Sequence, residues 1–196
     1  MRKSTAQLVE MLESRMLLSA VYPNNYEQYM VELINRARAN PAAEAARYGL
    51  DLNEGLAPGT ITTAAKQPLA VNPDITDAAR KHSQWMIDTD VFSHTGAGGS
   101  NPGARMTSAG YAFTGSWTWG ENIAWSGRTG SAPDPVATTH QLHENLFVDE
   151  NYPQRGHRTN MLSASFREIG AGIVQGNFSG YYAVMGTTDF GTTGTG

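Results

Sequence analysis

The chain has 196 residues, 40% of them hydrophobic and 16% charged, with a net charge of -4. That suffices for one domain with a real core and leaves no basic stripe to neutralise a phosphate backbone, which excludes nucleic acid as a partner. Cysteine is absent, so disulfides and thiolate metal sites are excluded, and no run approaches the roughly 20 apolar residues of a membrane-spanning helix.

The chain opens Met1-Arg2-Lys3 like a signal peptide, but Glu10, Glu13 and Arg15 interrupt the apolar stretch that an ordinary secretory signal needs. The string Leu12-Glu13-Ser14-Arg15-Met16-Leu17-Leu18 resembles the Leu-Glu-Pro-Arg-x-Leu-Leu leader of some large bacterial surface and exported proteins, with Ser14 in place of Pro. That resemblance implies a bacterial source, export, and a mature chain starting near Val21. Residues 1–20 are therefore read as a leader, 21–191 as the domain, and the low-complexity 192–196 as a tail or the start of a linker.

Within the domain, Tyr26, Tyr29, Met30, Leu33, Ile34 and Ala37 recur at three- and four-residue steps, which predicts an amphipathic helix from Asn25 to about Ala39. Asn40-Pro41 ends it and starts a second helix that stops at Gly49. Residues 50–67 lack any period and read as a surface loop. Asn72-Pro73 repeats the start signal for a helix to about Thr89, with Ile75, Ala79, His82 and Met86 along one side. The stretch 93–116 reads as irregular chain with a short helix at 102–109. A further helix is expected over Pro135–Val148, with Val136, Thr139, His140, His143 and Phe147 near one face. Ile169–Val174 and Tyr181–Phe190 then read as strands joined across the turn-rich segment from Gly176 to Gly180, an antiparallel hairpin. Helices first and strands last, without βαβ alternation, indicate an α+β domain.

The chemistry concentrates in three short strings: Phe92-Ser93-His94, Gly120-Glu121-Asn122-Ile123, and Gly156-His157-Arg158-Thr159-Asn160-Met161-Leu162. Histidine and glutamate are metal ligands and proton carriers, so His94, Glu121 and His157 are read as one site assembled by folding. The competing reading is a hydrogen-bonded network that shapes a cleft without chemistry. His140 and His143, three apart on a helix, lack a further ligand. Arg158 and Asn160 serve the fold as readily as a ligand, and Glu168 reads as a sheet-edge charge. Trp117, Trp119 and Trp125 bracket Gly-Glu-Asn-Ile; packing in the core is favoured over stacking on a sugar or acyl chain.

Together with Leu33-Ile34-Asn35-Arg36-Ala37-Arg38, Glu168-Ile169-Gly170-Ala171-Gly172 and Thr188-Asp189-Phe190-Gly191, these strings resemble a bacterial member of the CAP superfamily, the SCP-like extracellular domain. The matches run in order over nearly the whole chain after residue 28. The resemblance implies an α-β-α sandwich, a central antiparallel sheet with helices on both faces, and a cleft with two His and two acids that in some members binds zinc or another divalent ion. Carried over by motif, the metal set is His94, Glu121 and His157 plus an acid before Gly-His: Asp149, with Glu150 as runner-up. Zn²⁺ suits such donors, and its affinity would fall as pH drops through about 6.5, the ordinary His value. The implied function is an extracellular or cell-surface binding module for an unidentified ligand or protein. Two alternatives stay open: a metal-assisted hydrolase with Glu121 as base, and a lipid or sterol carrier.

Overall fold

The computed structural model describes residues 21–194; the leader-like segment lies outside them. Among the described residues, six helices and four strands follow in chain order: α1 Asn25–Ala39, α2 Pro41–Arg47, β1 Ala70–Val71, α3 Pro73–Thr89, α4 Pro102–Ala109, β2 Thr118–Arg128, α5 Pro135–Val148, α6 Gly156–Met161, β3 Glu168–Phe178 and β4 Tyr181–Thr192, with a short 3₁₀ turn at Ala97–Gly99 before α4. The helix starts follow local chemistry. Asn24 accepts from the amides of Tyr26 and Glu27 while Glu27 reaches back to the Asn24 amide, a full capping box. Asn40 and Asn72 each cap a helix that begins with proline.

The sheet order is β1-β3-β4-β2. The three long strands are antiparallel as expected, but β1 pairs parallel to β3, so the sheet is mixed rather than wholly antiparallel. The reason is geometric: β1 is two residues long and feeds directly into α3, which packs back over β3 and β4. The β3–β4 hairpin closes on Ser179 and Gly180, both with positive φ (50° and 82°), a two-residue turn whose twist suits the flanking strands. At its far end β4 runs to Thr192, one residue past the expected domain boundary, and Gly194 still donates to the Thr114 carbonyl. The strand β2 has no counterpart in the sequence reading. Its buried centre is Gly-Glu-Asn-Ile, with charge and amide where a strand pattern calls for apolar residues.

Helices cover both faces. On one, α1 and α5 pack Ile34, Leu142 and Phe147 against Ile169, Ile173 and Val184. On the other, α3 and α4 bring Ile75, Met86 and Met106 to Ile123, Met185 and Tyr111. The predicted side of α3 is the buried one, with Ile75, Ala79, His82 and Met86 all inside. In α5, however, Val136 is exposed and Leu142 and Leu146 take the core positions. The strand β3 reads Ile-Gly-Ala-Gly-Ile: its apolar side chains face α1 and α5, while a Cβ on Gly170 or Gly172 would lie 2.2–2.3 Å from the backbone of α3. The helix axis therefore sits closer to the sheet than any side chain would permit. Ser83 locks the contact by donating to the Gly172 carbonyl at 2.8 Å.

Beneath α1, buried Glu44 accepts two hydrogen bonds from Arg36, at 2.9 and 2.5 Å, and lies 3.0 Å from His143 Nε2. Burial alone would raise the Glu44 carboxyl; the bonds and charges of His143 and Arg36 outweigh it and hold it at about 2, against an ordinary 4.5. A depressed carboxylate stabilises the fold above its unfolded value and loses that contribution as pH falls through the folded one. Glu44→Gln is thus expected to lower the urea midpoint at neutral pH, with the gap to wild type closing between 4.5 and about 2. In the same assay Gly172→Ala, which drives a methyl into helix backbone, is expected to destabilise by about 3 kcal/mol.

Candidate functional site

β2 is an edge strand, bonded only to β4, and it carries the centre of the site. Successive residues point to opposite faces, so Glu121 turns toward α3 and α4 and Asn122 toward α5 and α6. Glu121 is buried, with Oε1 2.7 Å from His94 Nδ1 and Oε2 ion-paired to Arg105. His82 Nε2 lies 3.8 Å from the same Oε2. Arg105 also holds the chain around His94 by donating to the carbonyls of His94 (3.0 Å) and Ser100 (2.9 Å).

Across the strand a second pair mirrors the first. Asp149 ends α5 in a left-handed conformation and is buried; its Oδ1 is 2.7 Å from His157 Nδ1 and its Oδ2 accepts the His157 amide at 2.9 Å. Two amides tie the pairs together. Asn122 donates to the His157 carbonyl, while Asn160 donates to the Glu121 carbonyl and to Asn122 Oδ1. Arg158, fully buried, donates to the carbonyls of Phe147 (2.6 Å), Val148 (2.5 Å), Leu52 (3.0 Å) and Glu54 (3.1 Å). It satisfies the last carbonyls of α5 and fixes the turn that presents Asp149.

Each histidine thus faces a carboxylate through Nδ1. A carboxylate accepts only, so Nδ1 carries the hydrogen and the neutral ring leaves Nε2 as a bare lone pair, with no protein partner among the described residues for either ring. Glu121 and Asp149 are turned to the imidazoles rather than standing free beside them, and among the described residues no group of three or more His, Asp or Glu is arranged to hold a metal ion. Each imidazole is thus oriented by its own acid. Glu150, the runner-up acid, is exposed and bonds through its carbonyl to Arg155. A hollow of about 460 Å³ lined by Glu144, Asp149, Glu150 and Tyr152 borders the second pair.

The remaining sequence candidates sort themselves by contact. His143 belongs to the Glu44 network. Glu168 accepts from Tyr111 and Asn72, a role that a charge at a sheet edge leaves invisible in sequence. The core reading holds for two of the three tryptophans, since Trp119 and Trp125 are partly buried and pack against the clusters beneath α4 and α3, whereas Trp117 is 54% exposed. β2 lies at the sheet edge, where its ends escape the helical cover. Two participants were missed. Arg105 lay in a stretch read as irregular chain with one short helix, and Asp189 was noted only as part of a string.

Asp189 stands directly opposite Glu121 in the β2–β4 register, fully buried, and no donor reaches either of its oxygens. Burial first, and then the charge of Glu121, push its carboxyl well above the ordinary range. Glu121 moves the other way: burial opposes ionisation, but the His94 hydrogen bond and the charges of Arg105 and His82 hold it below its usual value. Arg105 pairs with Glu121 alone, so burial and the Glu121 charge favour the protonated form of Asp189.

The model of the CAP: Cysteine-rich secretory protein family matches residues 31–187. This chain belongs to that family. The CAP chain is 29% identical over 150 residues to the uncharacterized protein YkwD of Bacillus subtilis (strain 168), covering 76% of this chain and 43% of that protein. Its fold is similar to an extracellular protein containing a SCP domain from Bacillus anthracis str. Ames, with TM-score 0.50, 21% identity, and coverage of 85% of this chain and 40% of that one. It is also similar to NaASP2, solved with Zn²⁺, with TM-score 0.54, 17% identity, and coverage of 86% and 82%. The chain thus spans less than half the length of its two Bacillus relatives. Among the described residues no helix of this CAP domain is long and apolar enough to cross a membrane.

A group that keeps its proton when folded and loses it when unfolded makes stability fall as pH rises above its unfolded value, about 4 for Asp. Asp189→Asn removes that group. The variant is expected to fold, and its urea midpoint is expected to lack the part of the wild-type decline that sets in above about pH 4; an unchanged pH profile would place the proton elsewhere.

Proposed function

We propose that this chain is the binding module of an exported bacterial CAP protein, and that its cleft holds a divalent cation through Nε2 of His94 and Nε2 of His157. The observation that carries the reading is the mirrored pairing of each Nδ1 with a buried carboxylate. A carboxylate behind an imidazole fixes its tautomer and raises its basicity, the arrangement that commonly backs metal-bound histidine. Two nitrogens satisfy only part of a zinc coordination sphere, so the remaining positions would fall to water or to a bound partner, which suits a module that recruits rather than a closed structural site. NaASP2, which shares the fold, was solved with Zn²⁺, and the Bacillus anthracis neighbour is described as extracellular.

Hydrolysis with Glu121 as base is less well supported, because both of its oxygens are engaged, one by His94 and one by Arg105. A general base must reach the proton it removes. Lipid or sterol carriage remains a reading by family resemblance alone.

Zinc titration by calorimetry tests the proposal on the full chain, at about pH 7.5 and about pH 5.5, beside His94→Ala and His157→Ala. Micromolar binding at the higher pH, weakened by acid and abolished by either substitution, is expected. Binding that survives both substitutions, or no binding at either pH, would overturn it.

A further inference from the structure

The face of β3 that carries Ile169, Ala171 and Ile173 beneath α1 and α5 continues along the strand as Gln175 and Asn177, and on β4 the buried Val184 gives way to Tyr182. Apolar side chains are thus replaced by two amides and a phenol, all exposed, where the helical cover ends. Tyr182 stands opposite Asn177 on β3 and Arg128 on β2, one row across three strands. The two-residue turn at Ser179 and Gly180 closes the hairpin just beyond that row and holds its shape.

A hollow of about 260 Å³ lies against this end of the sheet, lined by Gln175, Asn177 and Tyr182 and walled by Ala132 and Pro133 from the segment leading into α5. Arg128 fixes that segment by donating to the carbonyls of Ser131 at 3.1 Å and Ala132 at 2.9 Å. Tyr182 is 45% exposed. Its neighbour Tyr181 turns to the other face of the sheet and packs on Trp125 at 5.9 Å. Arg128 lies seven residues beyond Glu121 on β2, about 23 Å away, so the hollow is apart from both His–acid pairs.

The chemistry of the lining narrows the occupant. Among the described residues no charged side chain lines this hollow, in contrast to the one beside His157 with its Glu144, Asp149 and Glu150, so neither an anion nor a cation is called for. Each polar group present both donates and accepts: the carboxamides of Asn177 and Gln175 and the hydroxyl of Tyr182. A sugar hydroxyl does the same. The apolar surface amounts to one flat ring, a proline and an alanine, which suits the C–H face of a six-membered ring and is too small for an acyl chain or a helix. A pyranose whose hydroxyls are all equatorial has C–H groups on both faces and hydroxyls round its rim, so it matches the ring and the amides together.

We propose that this hollow binds a pyranose sugar of gluco configuration, its ring face against Tyr182 and its rim hydroxyls bonded to Asn177 and Gln175.

The test is ¹⁵N NMR of the full chain, following the side-chain amide signals of Asn177 and Gln175, identified by their loss in Asn177→Ala and Gln175→Ala. The probes are cellobiose and chitobiose, with sorbitol as a control that carries hydroxyls but no ring. Saturable shifts of both amide signals are expected with a dissociation constant on the order of 1 mM, the strength of one stacked ring and a few hydrogen bonds. Response to both disaccharides assigns the pyranose ring itself, and response to chitobiose alone adds the acetamido group to what is recognised. Tyr182→Ala is expected to weaken binding about tenfold or more, Tyr182→Phe to keep most of it, and Asn177→Ala to weaken it about threefold. All of these positions are exposed, so the urea midpoint is expected to stay at the wild-type value. His94→Ala is expected to leave sugar binding intact, which separates this hollow from the proposed cation site. No shift with either disaccharide well above that concentration, an equal response to sorbitol, or binding unchanged in Tyr182→Ala would overturn the proposal.

Discussion

The close seating of α3 on β3 governs the rest of the molecule. Because Gly170 and Gly172 present no side chain, helix backbone meets strand backbone directly, and Ser83 pins the two by bonding the Gly172 carbonyl and the Thr187 hydroxyl. A helix held that low delivers His82 beside Glu121 and sets the floor on which α4 brings in Arg105. The opposite face has ordinary side-chain spacing, with Ile169, Ala171 and Ile173 packed beneath α1 and α5. The two layers therefore differ in kind: one positions backbone, the other buries apolar area.

Charge is managed with the same economy. Glu121 lies buried on an edge strand among His94, Arg105, His82 and Asp189. One fixed cation cannot neutralise two acids in a poorly solvated site, so one acid stays protonated. Asp149 solves the same problem by a different route, accepting the first amides of α6 and the imidazole of His157 in place of an arginine. Two histidines turn Nδ1 to a buried carboxylate through unrelated local structures on the two sides of β2.

Much of the fold was legible because its signals are local. Asn-Pro pairs mark helix starts, and α1, α3 and α5 show their buried positions through three- and four-residue spacing, although Val136 misled because an apolar residue in the first turn of a helix can face water as well as core. Strand β2 was illegible for the opposite reason. Its buried residues Glu121 and Asn122 are polar, kept inside by partners more than ten residues away, and no periodicity rule registers a partner. The parallel pairing of β1 was hidden in the same way, since two residues carry no pattern.

Composition, helix caps, the absence of cysteine and the ordered motif strings were settled by the sequence alone. Which acid faces which histidine, that Arg105 and Asp189 complete the Glu121 environment, that Trp117 stays outside, and that His82 lies beside Glu121 were decided only by the tertiary structure. The physical reason is range: capping and amphipathic spacing act within a few residues, whereas a buried charge takes its state from groups brought to it across the whole chain.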